Sequence, residues 1–132
     1  MGLVEDIGTY LAAQSTLFVL GTKTFLNFMP DSPNRAQSII ETGGPAPEFV
    51  MGASTKVAIE HPRIQMVCRS TSSTAARADM DRAWVILNGV ANQVLSGTTY
   101  LRISAVQSPF LLERDAKGRP VFGCNFDVMR RR

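Results

Sequence analysis

The sequence predicts an α+β fold: a mostly antiparallel sheet with one long helix and a short N-terminal helix packed on one face. Three observations lead there. Thr74–Leu95 (TAARADMDRAWVILNGVANQVL) is the longest helical pattern in the chain and contains no proline. Pro62–Ser70, Thr98–Gln107 and Arg119–Arg130 alternate apolar and polar residues with the period of a half-buried strand. Asp115-Ala116-Lys117-Gly118 separates two such runs and reads as a hairpin turn, so neighbouring strands run antiparallel.

Taken in order, Leu3–Gln14 reads as a short helix, with Leu3, Val4, Ile7 and Leu11 at helical spacing. Gly8 weakens it by roughly 1 kcal/mol. Leu17–Leu20 is a short apolar run closed by Gly21, and Thr24–Met29 reads as a strand of β-branched and aromatic residues. Pro30-Asp31-Ser32-Pro33-Asn34 must break regular structure. Gln37–Glu41 is a second strand around Ile39 and Ile40, and Thr42–Lys56 is the longest stretch without periodicity. Loops of that length in compact domains are usually functional or mobile.

In Pro62–Ser70, Ile64, Met66 and Cys68 point inward while Arg63, Gln65 and Arg69 point outward. The long helix follows. Ser72, Ser73 and Thr74 offer capping hydroxyls, Gly97 is its stop, and 22 residues make a rod of roughly 33 Å. Met80, Trp84, Leu87 and Val94 fall on its apolar stripe, so they are expected to be buried, whereas Val85 lies in the middle of the polar face. In Thr98–Gln107 the inward set is Leu101, Ile103 and Ala105. In the last strand, after Pro109–Arg114 and the turn, it is Phe122, Cys124, Phe126 and Val128. The resulting order is α-β-β-β-α-β-β-β, without internal repeats.

A length of 132 residues suits a single domain, 1–132. The apolar share of 45% can form a core, and the charged share of 19% is low enough to predict surface buried against other subunits. The net charge of +3 is concentrated at Arg130-Arg131-Arg132 and falls short of a dedicated nucleic-acid binder. The start, with Glu5 and Asp6, has no signal-peptide pattern, and no apolar run approaches a membrane span. A cytoplasmic protein with reduced thiols is therefore expected.

Chemistry is sparse. His61, the only histidine, lacks the partners of a triad or metal site and reads as a lone surface histidine. Cys68 and Cys124 sit on inward faces, without the paired spacing of a zinc site, and read as buried inert thiols. Gly43-Gly44-Pro45 lacks the row of free N–H groups that cradles phosphate. Asp79 and Asp81 point about 160° apart on a helix and cannot act as a paired acid and base; both read as solvated charges. The arginine triplet could touch DNA phosphates but reads first as a frayed tail. No catalytic residue, cofactor or metal is expected.

The run Phe28-Met29-Pro30-Asp31-Ser32-Pro33-Asn34, continuing to Ile39-Ile40-Glu41-Thr42-Gly43-Gly44-Pro45-Ala46-Pro47-Glu48, then the strand Ile59–Cys68 and the long helix, resembles the small tail terminator proteins of long-tailed bacteriophages. These are also labelled tail completion or minor capsid proteins. The resemblance runs in element order from the first helix to the final hairpin. It implies a virion protein, made in the host cytoplasm, that assembles as a ring, commonly a hexamer, on the end of the tail tube. The ring would stop polymerisation and meet the head connector, and DNA would pass through without sequence-specific binding. Partners would be further copies of the chain, the tube protein and the connector or neck protein, with no membrane.

The family carries no catalytic residues over. Candidate contacts with neighbouring subunits or the tube are Pro30, Asp31, Pro33, Gly43, Gly44, Phe49 and Val85, and candidate channel or phosphate contacts are Arg130, Arg131 and Arg132. Exposed strand edges and a long loop suit such a subunit. The alternatives are a neck or head–tail joining protein and a small nucleic-acid-binding module using the basic C-terminus; an enzyme, built on a pocket uniting His61 with Cys68 or Asp127, comes fourth.

Overall fold

The structure, a computed structural model, describes residues 2–49 and 57–131. Two helices, α1 (Leu3–Gln14) and α2 (Ser73–Leu87), share one apolar core with a curled mixed sheet. The strands are β1 (Thr24–Leu26), β2 (Ala36–Gly43), β3 (Glu48–Phe49), β4 (Val57–Glu60), β5 (Arg63–Arg69), β6 (Val90–Leu95), β7 (Thr98–Ala105), β8 (Phe110–Arg114) and β9 (Pro120–Arg131). β1 and β2 are parallel, as is an isolated bridge between Leu20 and Thr24; the other strand pairings among the described residues are antiparallel. Relative to the sequence reading, β3, β4 and β6 are additional strands, and β3 lies inside the stretch read as a loop from Thr42 to Lys56. The rest of that stretch from 50 to 56 lies outside the described residues.

β9 is the spine. Val121 is paired with Arg69 of β5 on one side and Glu113 of β8 on the other, and Asp127 with Arg63 of β5 and Ser104 of β7. Further along, Arg130 stands between Glu60 of β4 and Tyr100 of β7. The alternation read from sequence holds on the helix side, where Ile64, Met66, Cys68, Cys124 and Phe126 are fully buried.

The long helix is corrected. Ser72 caps it, its hydroxyl accepting the Ala75 N–H at 3.4 Å, but α2 stops at Leu87 and the last eight residues of the pattern become a turn and β6. The cause is Asn88-Gly89, a turn dipeptide inside the helical pattern. Gly89 adopts φ +96°, and its N–H bonds to the Ile103 carbonyl, while Asn88 Oδ1 accepts the Ala105 N–H. β7 thus captures the chain as it leaves the helix. Gly97 is then no helix stop: Ser96 and Gly97, both at positive φ, form the β6–β7 hairpin turn. Val94, expected in the core, is 66% exposed because its strand faces solvent there, and Trp84 is only half-buried.

Two further inward assignments shift. A register irregularity between Tyr100 and Arg102 puts Tyr100, not Leu101, fully inside, and Ala105 is partly buried. Asp79, read as a solvated charge, is buried: Arg35 grips it with bonds of 2.6 and 2.8 Å, and Gln37 lies 3.5 Å away. The Arg35 and Gln37 side chains, at the entrance to and start of β2, reach across to it. The paired Asp79 holds the Arg35 guanidinium pKa above its ordinary value.

Gly8 has a packing role rather than a purely weakening one. A Cβ there would lie 3.0 Å from Leu20 and 3.1 Å from Leu26, so glycine lets β1 approach α1. At the other flank of α1, the buried Tyr100 hydroxyl donates to Asp6 Oδ2 at 2.7 Å, and Arg130 donates to the same hydroxyl at 3.3 Å. Burial, with the Asp6 bond second, pushes the Tyr100 phenol pKa up. Asp6 Oδ1 is buried with no partner among the described residues, so Asp6 depends on Tyr100.

Two stability outcomes follow from these pairs. Tyr100→Phe removes the donor from a buried carboxylate and is expected to cost about 1–3 kcal/mol in urea unfolding; an unchanged midpoint would mean the bond contributes nothing. Arg35→Met strands Asp79 and is expected to cost on the order of 2–3 kcal/mol, below the ~3–5 of a fully buried pair because Arg35 is half exposed. The added substitution Asp79→Leu should recover most of that loss.

Candidate functional site

The segment that carries the family resemblance is built as an anchored loop. β1 and β2 are parallel, so the chain must return after Leu26, and residues 27–35 do this across the sheet face opposite the helices. Ser38, on that face, donates to the Phe28 carbonyl at 2.7 Å, and Asn27 Oδ1 accepts the Glu41 N–H. Two buried arginines hold the tip. Arg69 donates to the carbonyls of Pro33 (2.6 Å) and Asn34 (3.2 Å). Arg119 donates to the Asp31 carbonyl, Asp31 Oδ1, Asn34 Oδ1 and Asp115 Oδ2 at 2.7–3.0 Å. Lys117 adds an ion pair to Asp31.

The electrostatics of that cluster are directional. Hydrogen bonds from Lys117 and then Arg119 hold the Asp31 carboxyl pKa below its ordinary 3.8. Burial pushes the Asp115 pKa up, but bonds from the Arg119 backbone and guanidinium and from the Lys117 backbone bring it below 3.8. Burial and then the neighbouring Arg119 lower the Arg69 pKa. Pro30 is thus half-buried beside the cluster, Asp31 is committed to two cations, and Pro33 is exposed with its carbonyl engaged.

Gly43 and Gly44 stand at the far end of β2, roughly 23 Å from Ala36 at about 3.3 Å per residue. Gly43 takes φ +82° at a register shift in the β2–β5 pairing, and Gly44 packs on the His61 carbonyl with no room for a Cβ. His61 is not alone on the surface: it pairs with Glu48 of β3 at 2.5 Å. Gly43, Gly44 and His61, with Pro45 and Pro47, line a hollow of about 170 Å³. Phe49 closes β3; its side chain lies outside the description. Val85 is 69% exposed on the outer surface of α2, on the opposite side of the molecule from the 27–35 loop. The proposed contact residues therefore form three separate places, not one patch.

The basic C-terminus is ordered strand rather than a frayed tail as far as Arg131. Arg130 donates to Glu60 at 2.9 Å and, with Tyr100, is largely enclosed, while Arg131 pairs with Ile59. Arg132 lies outside the described residues. Cys68 and Cys124 are buried, and burial raises the pKa of both thiols, that of Cys68 strongly. Asp127 pairs with Arg63 on the face away from Cys68 and Cys124, and together with His61 it lines a hollow of about 100 Å³. Among the described residues no three His, Cys, Asp or Glu side chains gather as a metal site, and no helix is long and apolar enough to cross a membrane.

Two surface features escaped the sequence reading. Beside β1 is an apolar hollow of about 320 Å³ lined by Leu20, Gly21, Thr24, Phe25, Leu26 and Phe28, with Phe28 57% exposed. At β8, Leu111 (51% exposed) and Leu112 both meet solvent around a register shift. The available signal was the doublet itself: adjacent leucines in a strand cannot both face one core.

The loop cluster gives an acid-sensitivity test. Because the Asp31 and Asp115 carboxyls titrate below their unfolded value, their contribution is complete above about pH 4 and fades as pH falls through the lowered native values. Asp31→Asn combined with Asp115→Asn should flatten the decline in urea midpoint below pH 4. A decline as steep as in the parent would place the acid lability elsewhere.

No curated protein matches the chain. A family model described as bacteriophage tail terminator protein matches residues 10–130, from the later turns of α1 through the anchored loop, α2 and nearly all of β9. That span covers nearly the whole sheet and both arginines that hold the loop tip, and the chain belongs to the bacteriophage tail terminator protein family.

Proposed function

We propose that this virion tail protein caps the finished phage tail tube as a ring, ends tube polymerisation and presents the surface that joins the head. The observation that carries the reading is the family match over residues 10–130, in a family of structural proteins. Physical features support it. Exposed apolar side chains sit on the strand edges and on α2, where a subunit surface would use them.

In this reading the partners are further copies of the chain, a hexamer as in the resemblance, together with the tube protein and the head connector or neck protein. The anchored tip around Pro30, Asp31 and Pro33, the Gly43–Gly44 corner with Phe49, and Val85 would face different neighbours. Three separated places suit a subunit that touches copies on both sides and a tube beneath. DNA would pass through without base-specific contacts, with Arg131 and Arg132 as the phosphate contacts. Arg130 is held by Glu60, so its part would be to set the strand end.

The test is tail length. Phage lacking this protein should assemble tails of uncontrolled length that do not acquire heads, and supplying the protein should restore a single length and joining. Tails of normal length with unjoined heads would overturn the terminator role in favour of a neck protein.

A further inference from the structure

Across the half of the sheet beneath the start of α2, the strand order is β1-β2-β5-β9-β8. β1 and β8 are thus the two ends of one sheet. β8 has β9 on one side and no strand on the other among the described residues, and it exposes Leu111 and Leu112. The outer side of β1 is the apolar hollow of Leu20, Phe25, Leu26 and Phe28. An apolar ridge and an apolar hollow thus stand at opposite ends of this part of the sheet.

We propose that β8 of one copy seats in the β1-side hollow of the next copy, with Leu111 and Leu112 inserted and Glu113 paired to Lys23. The proposal rests on the ring reading above and names the surfaces that would build it.

The faces agree. Leu111 is paired with Phe122 on the helix side, the side on which Leu26, paired with Ile39, also lies. Leu112 and Glu113 fall on the opposite face, where Leu112 lines a hollow with Val67 and Val121. Phe25, paired with Ser38, shares that face, and Lys23 lies in the turn directly before the strand, its carbonyl accepting the Gln37 N–H. The charges agree as well, since neither Glu113 nor Lys23 has an ion-pair partner among the described residues.

Strand direction is also favourable. β8 runs opposite to β9, and β1 runs with β2, so β8 meets the next β1 antiparallel. The backbone of Thr24 is already bonded to Val19 and Gly21, so side chains, rather than an extended ladder, make this contact. Because the two surfaces differ, the contact is head-to-tail and repeats from copy to copy. A two-fold contact of β8 with β8 would leave the β1 hollow uncovered.

Cysteine cross-linking tests this, because Cys68 and Cys124 are buried and leave introduced surface thiols as the reactive pair. Lys23→Cys and Glu113→Cys proteins are mixed, free and on assembled tails, and treated with a short bismaleimide. The expected product is a dimer that stops at two copies, present only when both variants are mixed, while a chain carrying both substitutions should give a ladder of multimers. Dimers from either variant alone, or no cross-link on tails, would overturn the proposal. Tail length in the same preparations separates the two readings. Normal length without cross-links removes this contact and leaves termination standing; cross-links with uncontrolled length remove termination and leave the contact.

Discussion

The structure depends on β9 being paired along both edges. Its twelve residues take β5 and β4 on one side and β8 and β7 on the other. Phe126 is therefore flanked by β5 and β7, Cys124 by β5 and the turn at Gln107, and α2 covers both, which explains why both are fully buried in so small a chain. It also explains the curl. Two partners succeed one another along each edge, so the sheet must bend to bring β6 and β1 to either flank of α1, and α1 closes the gap with Leu3, Val4, Ile7 and Leu11. The pairing is largely non-local, between residues far apart in sequence, so these contacts form only after long loops have closed.

Buried charge does the second organising job, and each buried charge is met from a different element. Asp79 on α2 is met by Arg35 at the entrance to β2; Asp6 on α1 by Tyr100 on β7; Arg119 before β9 by Asp31 and Asp115. Such pairs contribute little net stability compared with apolar packing, but an unmet buried charge is costly. A displaced helix or a slipped strand would leave one unmet. The anchored loop is the clearest case: no helix supports the parallel β1–β2 connection, and Arg69 at the end of β5 and Arg119 just before β9 fix its path by binding its carbonyls.

Most of the sheet was legible because period-two alternation survives wherever one face is buried. Ile64, Met66 and Cys68 could be assigned from the pattern alone, as could Cys124 and Phe126. The helix end was not legible from periodicity, since Val90, Val94 and Leu95 continue a 3.6 spacing by chance. The decisive Asn88-Gly89 signal is local, and it succeeds because β7 supplies partners for Gly89 and Asn88. Asp79 was misread for a related reason: whether a helix carboxylate is solvated depends on what lies beside the helix. For the candidate site, the loop's importance was legible from its turn residues, but Arg69 and Arg119, which hold it, were hidden among ordinary strand positions.

The edges carry the remaining argument. A free strand edge is a liability that proteins usually blunt with lysine, proline, a bulge or a covering turn. Two edges here are treated that way. The outer backbone groups of Thr24 on β1 are bonded to the Val19–Gly21 turn, and β6 carries Asn92 at positive φ and an exposed Gln93 in its middle. β8 is treated differently: its register shift falls between Leu111 and Glu113 and turns a second leucine outward instead of hiding the first. In a chain that functions alone, such an edge invites non-specific pairing. In a subunit of an assembly the same bulge is useful, because it gives the edge an apolar side chain on each face and a shape that a flat strand cannot match. In the contact proposed above, specificity would come from the β1-side hollow, where the Thr24 backbone is already satisfied and only side chains of the right shape and charge gain by approaching.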